Sequence, residues 1–191
     1  MKYLKKYRIL KNKYFKKNNL ELCEILPNDI EKIRKWRNEQ FINLRQSKKI
    51  TKKEQLKYFK NIIFKEYGFK KPKNIIFSIK ENSNLIGYGG LVHISWNNLR
   101  AEVSLVFKTK IENNKKQKFF YFKIFLDLMK KLAFKNIKLK KLTTETYSFR
   151  KKEINFLEKY GFKREGILKN NIYIRKQSYD SFLHAIRIKN D

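Results

Sequence analysis

The alternation of apolar and polar positions divides this chain into short strands and amphipathic helices. Tyr7-Arg8-Ile9-Leu10 and Leu20-Glu21-Leu22-Cys23-Glu24-Ile25 read as two strands around a polar middle, an opening hairpin. Pro27-Asn28-Asp29 starts a helix, with Asn28 or Asp29 as its cap, that runs through Ile33 and Trp36 to about Asn38. Thr51-Lys52-Lys53-Glu54 has the capping-box pattern and opens a helix whose apolar stripe is Leu56, Phe59, Ile62 and Ile63. Asn74 to Lys80 is a strand, Asn82-Ser83-Asn84 a turn, and residues 85–94 and 101–107 two further strands. A long amphipathic helix over about 117–134 keeps Phe119, Ile124, Leu128, Met129, Leu132 and Ala133 available for burial. Strand 140–147, helix 151–160 and strands 162–168 and 181–188 complete an α/β (α+β) domain with a mixed sheet and helices on both faces.

Three of the six glycines, Gly87, Gly89 and Gly90, fall within four positions of one strand. Glycine weakens a strand and is kept where a bulge forms or another backbone approaches closely. The next strand carries one carboxylate, Glu102, a candidate general base that could equally be a solvated partner for a lysine. His93 ends the glycine strand and could stand beside Glu102 and relay a proton. Tyr88 and Tyr147 could donate a proton to a leaving group, or simply pack as core aromatics. Trp36, Arg37, Asn38, Arg45 and Gln46 bring an aromatic face, two guanidiniums and two amides close to one helix end, a set suited to a sugar diphosphate. A helix with Trp36 in the core and its charges in water has the same sequence.

Composition changes the picture little. The net charge of +31, from 48 basic and 17 acidic residues, rests on lysines spread along the chain rather than gathered in one arm. Such a surface attracts anionic small molecules and polyanions in a salt-dependent way, and specific nucleic-acid binding is not expected. No apolar run reaches bilayer-spanning length, and the opening Met1-Lys2-Tyr3-Leu4-Lys5-Lys6 lacks a signal-peptide core. Cys23 is the single cysteine, with neither a disulfide partner nor metal-ligand neighbours, so no metal is expected and a cytoplasmic location follows.

The glycine strand, the strand with Glu102, the long helix and Glu158-Lys159-Tyr160-Gly161-Phe162, in that order, resemble the GNAT superfamily of acyl-CoA N-acyltransferases. The resemblance implies a mostly antiparallel central sheet, a single acetyltransferase domain over residues 1–191 with 1–19 as an extension, and acetyl-CoA as co-substrate. It places the pantetheine arm along the Ala101–Phe107 strand, with Leu105, Val106 and Phe107 as backbone contacts, and Glu102 opposite its reactive end. Where most members carry two glycines that let backbone amides cradle the pyrophosphate, this chain has Gln117-Lys118-Phe119-Phe120-Tyr121-Phe122, with phenylalanine at both. Lys115, Lys116, Gln117 and Lys118 are then the phosphate-binding candidates, through side-chain charge and the helix dipole. Arg150 stands where many members carry asparagine, and Leu157 where many carry a catalytic tyrosine.

The same departures, with Trp36-Arg37-Asn38-Glu39-Gln40, Leu44-Arg45-Gln46, Tyr58-Phe59, Ile86 to Ile94, Ala101 to Ser104, Asp180 and His184, resemble the GNAT subgroup associated with bacterial surface polysaccharides and nonulosonic acids. That resemblance implies a nucleotide-linked amino sugar as acceptor. A protein amine, as in ribosomal-protein acetyltransferases, and a non-catalytic module binding RNA or an anionic partner are the competing expectations. A homodimer through exposed aromatics such as Phe119, Phe120 and Phe122 stays open.

Overall fold

The computed structural model describes residues 6–12 and 14–188. The opening five residues, which carry most of the segment read above for a leader, lie outside it. Its elements are β1 (Phe15–Lys17), β2 (Leu20–Cys23), α1 (Pro27–Glu39), α2 (Lys52–Tyr58), α3 (Phe64–Glu66), β3 (Ile75–Glu81), β4 (Asn84–Ser95), β5 (Arg100–Phe107), α4 (Thr109–Asn113), α5 (Lys115–Lys130), β6 (Lys141–Tyr147), α6 (Lys151–Tyr160), β7 (Lys163–Ile174) and β8 (Gln177–Arg187). The strands form one sheet in the order β1-β2-β3-β4-β5-β6-β8-β7. Every pairing is antiparallel except β5 with β6. This is the mixed, mostly antiparallel sheet expected.

Ser78 and Tyr88 are paired across β3 and β4 and face α1, meeting Asp29 at 2.7 Å and Arg37 at 3.1 Å. Gly89 lies on the opposite face, beneath Phe125 of α5. The glycines serve close approach. A Cβ on Gly90 would stand 2.0 Å from the Ile75 carbonyl oxygen, and one on Gly89 2.4 Å from that of Ser104. Phe59, Ile63, Ile33 and Leu91, with Phe125, Met129 and Leu132, are among the fully buried side chains of the core.

Several local expectations change. The hairpin is β1–β2, turning at Asn18 (φ 53°), and Tyr7 to Leu10 form no strand. Tyr7 is buried instead, its hydroxyl accepting from the Ile76 amide at 2.8 Å, a tertiary bond that local alternation cannot foretell. The cap of α1 is Leu26, with Pro27 as its first residue. Asp29 sits at the third helical position, where its carboxylate accepts the Leu26 amide at 3.1 Å. The Thr51–Glu54 capping box forms, Thr51 Oγ1 accepting the Glu54 amide at 3.2 Å and Glu54 accepting the Thr51 amide at 2.8 Å. Its helix then passes through a π turn, Phe59–Ile63, into α3. That turn leaves Leu56 and Ile62 exposed and buries Gln55, Phe59, Ile63 and Glu66. The long helix starts at Lys115 and ends in a second π turn, Lys131–Asn136.

Candidate active site

Parallel β5 and β6 pair only at Arg100–Glu102 against Lys141–Thr143 and then part. Beyond that point the β6-facing edge of Val103–Phe107 has no sheet partner among the described residues. A buried strand edge of this kind is a template for an added strand-like ligand. The gap opens into a cleft of about 400 Å³ lined by Val103–Phe107 and Thr144–Tyr147, and on either side by Tyr88 and Leu157.

At the closed end of the gap lies the carboxylate pair. Glu102 Oε2 is 3.2 Å from His93 Nδ1, and its Oε1 is 3.0 Å from the Arg45 guanidinium, which also holds Glu145. His93 reaches this position because β4 bulges between Val92 and Ser95 against β5, with His93 itself at φ 50°. A non-glycine residue held there is strained, and such strain clusters where a side chain must be aimed. Burial opposes the Arg45 charge, but Glu102 and Glu145 outweigh it and raise the guanidinium's pKa above its usual value. With Nδ1 committed to Glu102, Nε2 is the nitrogen left to take a proton.

The candidates near α1 separate. Trp36 is 8% exposed and packs in the core, so its ring offers no face to the cleft. Asn38 ties down the following loop, donating to the Ile50 carbonyl and accepting the Ile50 amide, both at 2.8 Å. Gln46 bridges Asn38 and Arg37. Arg37 donates to the Tyr88 hydroxyl, and both line the cleft. Burial raises the pKa of Tyr88 and of Tyr147, so both phenols keep their protons at neutral pH.

The phosphate candidates divide as well. Lys118 and Arg150 line the cleft, but their charges are already partnered. Lys118 Nζ is 2.6 Å from Glu112 and also held by Glu153, and Arg150 lies 3.3 and 3.5 Å from the same two carboxylates. Lys115 and Lys116 are exposed on the first turn of α5 with Gln117 behind them, none of the three among the cleft-lining residues. The neighbouring Lys115 lowers the pKa of Lys152, so two basic side chains come together where α5 and α6 begin. Phe119 and Phe122 are not a free surface: both stack on Phe156 of α6, at 4.8 and 5.0 Å between centroids. Of the phosphate candidates, Lys115 and Lys116 keep exposed side chains, whereas Lys118 is buried between Glu112 and Glu153.

A second hollow of about 500 Å³ adjoins the first and shares Leu44, Arg45 and Tyr147 with it. Phe41, Ile42, Ile172 and Tyr173 form its apolar walls, and Asn171, Gln46 and Arg175 its polar ones. Asn171 reaches Glu145 at 3.1 Å and Ser181 at 3.0 Å. Sequence reasoning missed Glu145, Glu112, Glu153 and Arg175. Only Glu145 had a signal: it lies two residues beyond the Thr143 that pairs with Glu102, hence on the same face. No cluster of three metal-ligating side chains occurs among the described residues, and no helix there is long and apolar enough to cross a membrane.

No curated protein matches the chain. Among solved structures, a chimera of the spermidine N-acetyltransferase SpeG from Vibrio cholerae and hSSAT matches with a TM-score of 0.76 at 17% identity, covering 89% of this chain and 96% of that one. The Vibrio cholerae spermidine N-acetyltransferase in complex with CoA and spermine matches at 0.75 and 19% identity, covering 88% and 95%. A GNAT-family acetyltransferase from Bacillus anthracis matches at 0.70 and 18%, covering 91% and 98%. At these identities the likeness shows the fold. The family follows from the sequence model of the acetyltransferase (GNAT) domain, which matches residues 22–183. The chain thus belongs to the GNAT acetyltransferases and is an N-acetyltransferase that takes acetyl-CoA as its co-substrate.

Proposed function

We propose that residues 1–191 act as one cytoplasmic acetyltransferase domain, with 1–19 as its extension, and that it acetylates the amine of a nucleotide-linked amino sugar. The observation that carries the acceptor class is the second hollow. Its lining carries no carboxylate and includes Arg175, while its Arg45 is committed to Glu102 and Glu145, beside apolar walls that suit a sugar or base ring. Arg175 and Lys176 form the β7–β8 turn with φ of 50° and 63°, a two-residue hairpin turn that usually takes Asn-Gly. Arg175 therefore stands on a strained tip at the lip of the hollow, with Lys176 next to it in the turn.

A polyamine acceptor, such as the spermine in the Vibrio cholerae complex, needs carboxylates free to face several ammonium groups. Here Glu102 and Glu145 are both held by Arg45, and the net charge of +31 repels a polycation before it arrives. An anionic acceptor meets the opposite field.

In the reaction, the open edge of β5 aligns the thioester arm and turns backbone amides toward its carbonyl, where negative charge develops. The amine enters from the Arg45–Tyr147 side. Glu102 fixes the His93 ring, and the dyad removes the proton that the attacking amine must lose.

Release of CoA thiol is expected with UDP- or dTDP-linked amino sugars and not with spermidine; the reverse preference would overturn the acceptor class. Arg175→Ala is expected to raise the Michaelis constant for the nucleotide sugar about tenfold or more, the worth of one charge-assisted hydrogen bond. The free amino sugar should be unaffected by that change. Equal effects on both acceptors would mean that Arg175 does not meet the phosphates.

A further inference from the structure

Thr144 is the first β6 residue beyond the last β5–β6 pair, so it stands at the apex where the two strands part. It lines the cleft and is 7% exposed. Across the β6–β8 ladder it is paired directly with His184, which is 1% exposed. Directly opposed residues share one face of the sheet, with Cβ atoms about 4.5–5.5 Å apart. Thr144 Oγ1 and His184 Nδ1 are both buried and both without a hydrogen-bond partner. Native interiors rarely leave such atoms unpaired, and two side by side, Thr144 on the cleft and His184 behind it, point to a group that arrives there. The other ring nitrogen, His184 Nε2, is 3.3 Å from Glu158 Oε1, and Arg164 holds the same carboxylate at 2.6 Å. A carboxylate, an imidazole and a hydroxyl thus run in sequence from α6 down to the cleft.

The two faces of the sheet divide the chemistry. Glu102 and Glu145 share Arg45 on one face, where the amine loses its proton. Thr144 alternates with Glu145 along β6 and so lies on the other face. The departing sulfur needs a proton too, and the one the amine loses goes to the dyad on the opposite face.

We propose that Thr144 and His184 form the acid side of the reaction and deliver the proton that the departing thioester sulfur takes up. The amine nitrogen bonds to the carbonyl carbon and the carbon–sulfur bond breaks, its electron pair going to sulfur. Sulfur takes the Thr144 hydroxyl proton, and Thr144 Oγ1 is refilled from Nδ1–H of the His184 imidazolium, directly after rotation about χ1 or through one bridging water. His184 ends neutral with Nε2–H on Glu158, whose exposed side leads to solvent, from which the proton is restored.

This assignment rests on acyl transfer in the cleft and not on which amine accepts. The test is steady-state kinetics and acetyl-CoA calorimetry on the full chain, comparing wild type with Thr144→Val, His184→Gln and Tyr147→Phe. Thr144→Val keeps the shape of the side chain and is expected to lower kcat about 10²-fold while acetyl-CoA binding stays unchanged. His184→Gln should reproduce this loss if it folds; Thr144→Val decides the matter if it does not. A wild-type kcat in Thr144→Val, a change in the Michaelis constant alone, or a loss in Tyr147→Phe instead would overturn the relay. Failure of wild type itself to bind acetyl-CoA would overturn the acyl-transfer reading and the relay with it.

Discussion

Glu102→Gln is expected to lower kcat by about 10²-fold or more, with the Michaelis constant for acetyl-CoA little changed. The amide keeps the shape of the carboxylate, so β5 and the cleft should hold their form. What disappears is the charge that faces His93 Nδ1 at 3.2 Å and Arg45 at 3.0 Å. Arg45 retains Glu145, which leaves the loop carrying it anchored. His93 is left with at most a neutral amide acceptor and loses the negative charge that stabilises its protonated ring as the amine's proton arrives. His93→Ala should therefore lose activity to a comparable degree. If it does not while Glu102→Gln does, the carboxylate takes the proton itself. In wild type, activity should rise with pH as the acceptor amine loses its proton. A profile flat from about pH 6 to 9 would count against rate-limiting aminolysis. Near-wild-type turnover in both variants would remove the pair from the mechanism.

The sheet and its helices were legible because each rests on local signals. Gly87, Gly89 and Gly90 marked close strand contacts, and the structure puts neighbouring carbonyl oxygens 2.0–2.8 Å from where their Cβ atoms would be. Thr51 and Glu54 announced a helix start and form it. Errors arose where a residue answers to something far away in sequence. Tyr7 belongs to an Ile76 backbone pair rather than to a strand of its own. Leu56 and Ile62 look apolar enough for a stripe, but the π turn at Phe59–Ile63 rotates the buried face onto Gln55 and Glu66. Glu66 is satisfied there by the Lys73 amide and the Asn74 side chain, from a loop that follows it.

The site was legible in its strands and illegible in its charges. Alternation placed Glu102 and His93 near one another, since they lie on adjacent strands. Nothing local says that Arg45 will span Glu102 and Glu145, or that Lys118 will turn away from solvent. In a chain with 48 basic and 17 acidic residues, which cations find carboxylates is decided by tertiary packing. Glu112 and Glu153 stand six and thirty-five residues from the lysine they hold.

Lys118→Met is accordingly expected to act on stability, costing about 3 kcal/mol in urea unfolding near pH 7, at the low end of what breaking a buried ion pair costs. The Lys118 side chain is 8% exposed, and Glu112 and Glu153 are 14% each. Without the ammonium, two nearly buried carboxylates share the Arg150 guanidinium at 3.3 and 3.5 Å, and one negative charge goes uncompensated. Replacing Glu153 by Gln in the same chain should recover much of the loss by restoring neutrality. The pH dependence has a definite sign. Burial pushes the Glu153 carboxyl up, but Arg150 and Lys118 outweigh it and hold its pKa below the ordinary 4.5. Its contribution is complete above that value and fades as pH falls through the depressed folded-state pKa, so the gap between wild type and Lys118→Met should narrow there. Lys115→Ala with Lys116→Ala should behave oppositely, leaving stability in place and raising the Michaelis constant for acetyl-CoA, because their exposed charges at the start of α5 remain available to its phosphates. A stable Lys118→Met protein with a raised Michaelis constant would reverse the assignment, and would mean that the phosphates displace Glu112 and Glu153 from the buried lysine.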